Sequence, residues 1–138
     1  MAPGTTKVRT AVRNLLASRA EMEASEERRE ARRHGCTAVT ELVDRRRAEV
    51  TGVLRSVTLR PRRAVPALEA ELFDGSGSLR VVWLGQRRIR GVEPGRRTRV
   101  EGFVCIQEGR LTMFNPRYEL IPSAEELAAV EDVTARHG

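Results

Sequence analysis

Apolar and polar residues alternate in short runs throughout residues 53–120. Turn-forming residues separate these runs at residues 60–66, 74–77, 91–95 and 108–109. Alternation with a period of two is typical of half-buried strands, and several such strands at short, regular spacing are typical of small barrels. The pattern therefore predicts a mainly β protein built on a five-stranded barrel.

Local features of the predicted strands refine this picture. Gly52, in the middle of the first long strand, predicts a bulge or a sharp bend there. The sequence Asp74-Gly75-Ser76-Gly77 predicts a tight turn joining two strands. The strand that follows is apolar on both faces, so alternation leaves open whether Trp83 lies in the core or on a binding face. Pro116 predicts an edge or a bulge in the last strand.

The two ends of the chain have helical patterns, which gives the predicted domain organisation: a helical extension over residues 1–47, a barrel over 48–122 and an acidic helix or tail over 123–138. Thr5 or Thr6 is a candidate cap for the N-terminal helix, and Gly35 is a candidate stop. Ser123 and Glu126 have the spacing of a capping box. We expect the final helix either to pack Leu127 and Val130 on the barrel or to fray.

The formal net charge of +6 is unevenly distributed. Residues 52–118 hold thirteen arginines and six acidic residues, whereas residues 119–138 hold one arginine and five acidic residues. The planar guanidinium group suits phosphate and can stack on bases. A genome rich in G and C would explain arginine replacing lysine, but it would not explain why the positive charge collects in the barrel.

Several classes of function find no support in the sequence. Two distant cysteines, Cys36 and Cys105, are too few for a closed zinc site without histidine ligands at suitable spacing. We find no phosphate-binding glycine motif, no HExxH and no histidine beside a nucleophile. Apolar runs long enough for a membrane span or a secretion signal are missing as well. The sequence predicts a cytoplasmic, non-enzymatic protein without cofactor or metal.

What remains is a basic barrel with a few aromatic residues. Such a surface attracts phosphate groups and offers rings for base stacking. The candidate nucleic-acid-binding residues lie in the first loop, on and after the third strand, and in the last hairpin: Arg60, Arg62, Arg63, Arg80, Trp83, Arg87, Arg88, Arg90, Arg110, Arg117 and Tyr118.

An ordered series of motifs over residues 48–121 resembles a known family. The motifs are Val50-x-Gly52 with Ser56-Val57, then LEAELFDGSGSLRVVW from Leu68 to Trp83, then Pro94-Gly95, Val100-x-Gly102 and Asn115-Pro116-x-Tyr118-Glu119. This series resembles the OB-fold of the tRNA-anticodon and helicase type, of which the wedge domain of the helicase RecG is a well-known case. The chain is also similar to small stand-alone bacterial OB-fold proteins. The resemblance implies a binding module without a helicase motor.

Two hypotheses follow. The first is an OB-fold protein that binds nucleic acid, single-stranded or branched DNA rather than RNA, through arginine–phosphate contacts and aromatic stacking. The second is a protein-interaction adaptor, in which the N-terminal helix and the barrel bind a protein partner or a second copy of the chain.

Overall fold

The computed structural model describes residues 3–33, 35–61 and 65–137. Six strands form one mixed sheet, which contains antiparallel and parallel pairs. A long helix precedes the sheet and a shorter helix follows it. The elements in chain order are α1 (Pro3–Arg33), a 3-10 helix (Val39–Glu41), β1 (Arg47–Arg60), β2 (Ala67–Phe73), β3 (Ser78–Leu84), β4 (Arg97–Gln107), β5 (Arg110–Phe114), β6 (Arg117–Leu120) and α2 (Ala124–His137).

Five of the strands close into a ring because β1 is long enough to pair with two partners. Its first half, to Val53, pairs with β4, and its second half pairs with β2. The ring then runs from β2 to β3, from β3 to β5 in parallel, and from β5 back to β4. This closed five-stranded barrel is the predicted OB-fold architecture, and closure leaves the ring without a free edge.

The bend in β1 has two separate causes. The register slips by one residue between Leu54 and Ser56, so the bulge lies three residues after the predicted position. Gly52 serves a different purpose: a β-carbon there would lie 2.3 Å from the carbonyl oxygen of Phe73. Glycine is therefore required where β1 changes partner, because the backbone of β2 comes too close for any side chain.

The last predicted strand is two strands. Asn115, which has a φ of 48°, and Pro116 separate β5 from β6. The side chain of Asn115 accepts a hydrogen bond from the Leu84 amide at 2.9 Å. β5 and β6 both pair antiparallel with β4, and the register shifts by one residue between the two stretches, so Pro116 lies at an irregularity in the ladder, as predicted.

The barrel interior is apolar and fully enclosed. Leu68, Ala70 and Leu72 on β2 point inward. On β3 the inward set is Leu79, Val81 and Trp83. The remaining core side chains come mainly from β1, β4 and β5: Val50, Leu54, Val100, Val104 and Met113.

The Asp74 carboxylate organises the β2–β3 turn and joins it to the 3-10 helix. One oxygen accepts hydrogen bonds from the Ser76 amide, the Ser76 hydroxyl and the Gly77 amide, at 2.7 to 3.0 Å. The other oxygen accepts a bond from the Val39 amide at 2.8 Å. The side chain is only 1% exposed, so this turn is both a hairpin and an anchor for the segment before β1.

The C-terminal part of α1 docks at this same turn. Arg28 donates to the Gly75 carbonyl at 3.1 Å, and Ala31 is buried. The guanidinium group of Arg97 on β4 holds both carboxylate oxygens of Glu27, at 2.9 and 3.1 Å. Burial outweighs this ion pair and raises the pKa of Glu27 above its ordinary value of 4.5.

The predicted helix ends agree with the structure at the end of α1 and at the start of α2, but not at the start of α1. Helix α1 begins at Pro3 rather than after Thr5 or Thr6. Its C-terminus is closed as predicted at Gly35, because the Gly35 amide donates to Arg32 and the Cys36 amide to Ala31, both at 3.1 Å. In α2 the Ser123 hydroxyl accepts a hydrogen bond from the Glu126 amide at 3.1 Å, which is one half of the predicted capping box, while the Glu126 carboxylate binds Arg96.

Helix α2 does not pack its apolar residues on the described part of the barrel. Leu127 is 52% exposed and Val130 is 63% exposed. The helix is attached near its start by a 2.6 Å ion pair between Glu126 and Arg96. Within the described residues, neither helix combines the length and the apolar character that a membrane span would need.

Candidate nucleic-acid interface

One end of the barrel brings together three connections that are distant in sequence. The residue before β2, Pro66, accepts a hydrogen bond from the Gly85 amide at 2.8 Å, so the β1–β2 and β3–β4 connections touch. The Asn115 amide donates to the Val82 carbonyl at 2.7 Å and places the β5–β6 turn beside the end of β3. We call this region the loop end: residues 61 and 65–66, residues 85–91, and residues 115–118.

Trp83 and Tyr118 form an aromatic pair at the loop end. Trp83 is 4% exposed and belongs to the core, which answers the question that the alternation on β3 left open. Tyr118 is 44% exposed and meets Trp83 edge to face, with ring centroids 5.6 Å apart and ring planes at 77°. Tyr118 is therefore the exposed ring of the pair, and Trp83 packs against it from inside the barrel.

The Trp83 indole nitrogen is buried and has no hydrogen-bond partner among the described residues. Buried tryptophan N–H groups usually find an acceptor, so this orphaned donor is unusual. Its presence beside Tyr118 indicates that packing against that ring, rather than a hydrogen bond, fixes the position of the indole.

The β3–β4 connection carries three exposed arginines, Arg87, Arg88 and Arg90. It starts directly after Trp83 and Leu84. Further along it, Gly91 fits so closely on Leu120 that a β-carbon would lie 2.5 Å from that side chain. Tyr118 lies two residues before Leu120 on β6, so this part of the connection lies near the aromatic pair.

Arg117 adds a fourth cation to this region. It lies opposite Glu101 in the β4–β6 register and is exposed. Among the described residues, no acidic side chain lies within 4.0 Å of these four guanidinium groups; the ion pairs that the structure shows involve other arginines. Their charge is therefore available to an external anion.

A shallow cavity of about 310 Å³ opens beside Tyr118. Its lining combines the ring with two cations and two carboxylates: Arg99, Glu101, Arg117, Tyr118 and Glu119. Sequence analysis missed Arg99 and Glu101 because only the pairing of β4 with β6 brings them next to Tyr118. It also missed Glu119, which directly follows Tyr118 in the chain. The Arg99 guanidinium group donates a hydrogen bond to the Glu49 carboxylate, and this bond raises the pKa of Arg99 above its ordinary value.

Three of the sequence candidates have side chains that line a different surface. Arg60, Arg80 and Arg110 lie on the outer face of β1, β2, β3 and β5, around a second cavity of about 190 Å³ that also contains Glu69 and Glu71. Arg80 is 8% exposed and donates to the Thr112 hydroxyl and the Gln107 carbonyl, at 3.2 and 3.1 Å. We call this region the sheet face.

Arg60 on the sheet face is paired with Glu69 at 3.4 Å, whereas Arg110 is exposed. The positive charge of this face is thus partly neutralised, and Arg80 has most of its donors engaged within the protein. Arg62 and Arg63, in the β1–β2 connection, lie outside the described residues. Their proposed role stays a prediction from sequence.

The cysteines occupy unrelated positions. Cys36 contacts the Thr51 hydroxyl at 2.9 Å, and Cys105 contacts the Thr112 carbonyl at 3.5 Å, with no disulfide between them. In the described ranges, no group of three or more histidine, cysteine or acidic side chains is arranged to hold a metal ion.

Comparison with known proteins gives a match at the level of fold. No family model and no curated protein match the chain. Among solved structures, the chain is similar to RecG bound to a three-way DNA junction, with a TM-score of 0.52 and 21% sequence identity. The match covers 65% of this chain and 13% of RecG, so the chain spans a small part of that protein's length. The likeness shows a RecG-like OB fold.

Proposed function

We propose that this chain is a non-enzymatic nucleic-acid-binding module that contacts single-stranded or branched DNA at the loop end of its barrel. The observation that carries the proposal is the exposed Tyr118 ring, supported by Trp83 and accompanied by Arg87, Arg88, Arg90 and Arg117. Arginine–phosphate contacts provide attraction without sequence preference, and a ring that stacks on a base contributes about 1–3 kcal/mol.

Two features favour an unpaired or branched substrate over a continuous duplex. An exposed ring can stack only on a base whose face is open, as in a single strand or at a fork. The loop end also offers no helix or β-ribbon among the described residues that could enter a major groove. The similarity in fold to a protein solved with a three-way DNA junction supports the same class of substrate.

The test is fluorescence anisotropy with labelled single-stranded, forked and duplex DNA and single-stranded RNA, at low and moderate salt. We expect single-stranded and forked DNA to bind most tightly, with a steep loss of affinity as salt increases. The variant Arg87→Glu with Arg88→Glu should lose most of this binding.

The matched control reverses two charges on the sheet face, Arg60→Glu with Arg110→Glu. It changes the net charge by the same amount, so a general electrostatic effect would lower affinity equally in both variants. Equal losses would overturn the assignment of the loop end. Absence of binding by the unmodified protein at low salt would overturn the proposed function itself.

One observation favours the adaptor as a second function. Residues Leu15, Leu16 and Met22 on α1 are between 58 and 62% exposed, and large exposed apolar side chains in one region are typical of protein contacts. Removing residues 1–22 leaves the docked part of α1 in place. An adaptor would lose partner binding or self-association with this deletion, while nucleic-acid binding would survive.

A further inference from the structure

The outer part of α1 is a helix without support from the rest of its own chain. Residues 13–23 are exposed, whereas the contacts with the barrel begin near Ala24 and Glu27. Leu15, Leu16 and Met22 follow each other at helical spacing on one face, and Val8 and Val12 precede them in the sequence at the same spacing. A helical segment of this length is marginally stable in water unless its apolar face is covered.

Helix α2 presents a second uncovered apolar face. Leu127 and Val130 are three residues apart, on one face, and both are more than half exposed. The helix is anchored near its start, where Glu126 pairs with Arg96. Since α1 is held at Glu27 by the neighbouring residue Arg97, the two helices are attached at adjacent positions on the barrel.

The charges of these two uncovered helices are opposite. Residues 3–20 of α1 contain four cations, Lys7, Arg9, Arg13 and Arg19, and no acidic residue. Residues 124–137 contain four acidic residues and one arginine. When two helices pair through their apolar stripes, the charged residues beside the stripes face each other. Cations on one helix and carboxylates on the other then attract, as they do in coiled coils.

The position of Arg19 makes the match more specific. By helical periodicity Arg19 falls within the stripe of Leu15, Leu16 and Met22, so a partner helix with a carboxylate next to apolar side chains matches it. Glu131 lies one turn after Leu127 and satisfies this requirement. Pairing of α1 with α1 of another copy would instead bring two basic segments with a central arginine together.

We propose that two copies of this chain form a dimer by reciprocal helix exchange: the outer part of α1 of each copy packs on α2 of the other. Both apolar faces are exposed in the single chain, so among the described residues α1 and α2 of the same copy do not cover each other. The exchange covers both apolar faces, pairs Arg19 with Glu131 twice, and is a closed twofold arrangement.

The test measures the mass of the full chain by sedimentation equilibrium over a wide range of concentration. We expect a reversible increase from 15.4 kDa to twice that value, with dissociation favoured by salt. Replacing Leu127 and Val130 together by Asp should leave a monomer. A mass that stays at one chain throughout for the unmodified protein would overturn the proposal.

Charge reversal distinguishes the exchange from other dimers. Arg19→Glu and Glu131→Arg should each weaken the dimer roughly tenfold, because each places like charges at both contacts. The two changes in one chain should restore the affinity. Arg46→Glu and Glu41→Arg, exposed residues outside both helices, are the matched controls and should have little effect.

Two outcomes would contradict the exchange. A dimer that survives the Leu127 and Val130 changes would mean that α1 pairs with α1 instead. A doubly reversed chain no better than either single variant would mean that Arg19 and Glu131 do not meet. Circular dichroism and thermal unfolding of each variant confirm that the barrel is intact, so loss of the dimer can be distinguished from loss of the fold.

Discussion

At the scale of single residues, Tyr118 is the side chain on which the proposed function depends most. Its ring is held edge to face by Trp83 and is open on the other side to solvent. A buried aromatic that supports an exposed one reduces the freedom that the exposed ring loses on binding. In the proposed interface the two aromatic residues therefore have different tasks, contact for Tyr118 and support for Trp83.

Replacing Tyr118 by Ala should weaken binding of single-stranded DNA by about 5- to 150-fold, since a stacked base is worth about 1–3 kcal/mol. Tyr118→Phe keeps the ring and should retain most of the affinity. Anisotropy titrations measure both. Phe103→Ala is the control, because Phe103 is 50% exposed but faces outward on β4. An equal loss in the control would show that any exposed aromatic residue suffices.

Asp74 has the same importance for stability that Tyr118 has for binding. Its buried carboxylate accepts four hydrogen bonds and connects two parts of the chain. Asp74→Ala should lower the free energy of unfolding by about 3 kcal/mol, because buried donors then lose their acceptor. Urea unfolding measures the change. Asp44→Ala, at an exposed position, should cost little; similar costs would show that the network contributes little.

At the scale of elements, α1 is divided into a docked part and a projecting part. Docking depends on few contacts, chiefly Arg28 with Gly75, Glu27 with Arg97 and the burial of Ala31. The Glu27–Arg97 pair fixes the position of α1 on the barrel more than it stabilises the folded protein. Burial disfavours the charged carboxylate of Glu27 even with the guanidinium group beside it.

The raised pKa of Glu27 predicts how docking depends on pH. Above 4.5 the unfolded chain loses this proton while the folded chain still keeps it, so the contribution of Glu27 to stability falls as pH rises through the folded pKa. Relative to Glu27→Gln, the unmodified protein should therefore gain thermal stability as pH is lowered towards 4.5. A difference between the two proteins that does not change with pH would contradict this assignment.

The β3–β4 connection is the other element with a distinct task. Its apolar residues, Ile89 and Val92, anchor it on the core, while its arginines remain in solvent. A short loop held at both ends presents its charges at a defined position, with less entropy lost on binding than a free loop would lose.

At the scale of the whole molecule, the two ends of β2 and β3 serve different purposes. The loop end gathers Tyr118 and the uncompensated arginines, and the opposite end of these two strands carries the Asp74 turn and the docked part of α1. Changes in the helices should therefore affect assembly more than nucleic-acid binding by one barrel.

The slope of log affinity against log salt concentration should report how many phosphate contacts the loop end makes. Arg87→Gln with Arg88→Gln should reduce the slope of log affinity against log salt by about 1.4 for a single strand, since each contact contributes about 0.7. Arg60→Gln with Arg110→Gln should leave the slope nearly unchanged. A slope that falls equally in both would indicate a diffuse charge effect over the whole barrel.

The sequence by itself determined the barrel, because local chemistry specifies strands and turns directly. Alternation predicted the strands, and Asp74, Gly75 and Gly77 marked the hairpin between β2 and β3. Gly35 and Ser123 marked a helix end and a helix start for the same reason: these residues satisfy the backbone groups of their own segment.

Only the tertiary structure decided which of the candidate residues share a surface. β3 is apolar on both faces, so its inward set had to be chosen by the ring of neighbouring strands, which put Trp83 inside and Arg80 against Thr112. The cavity beside Tyr118 depends on the register of β4 with β6, a contact between residues about twenty positions apart. Local pattern specifies an element, but strand register and chain closure are properties of contacts between elements, and these decide where the charges and the exposed ring meet.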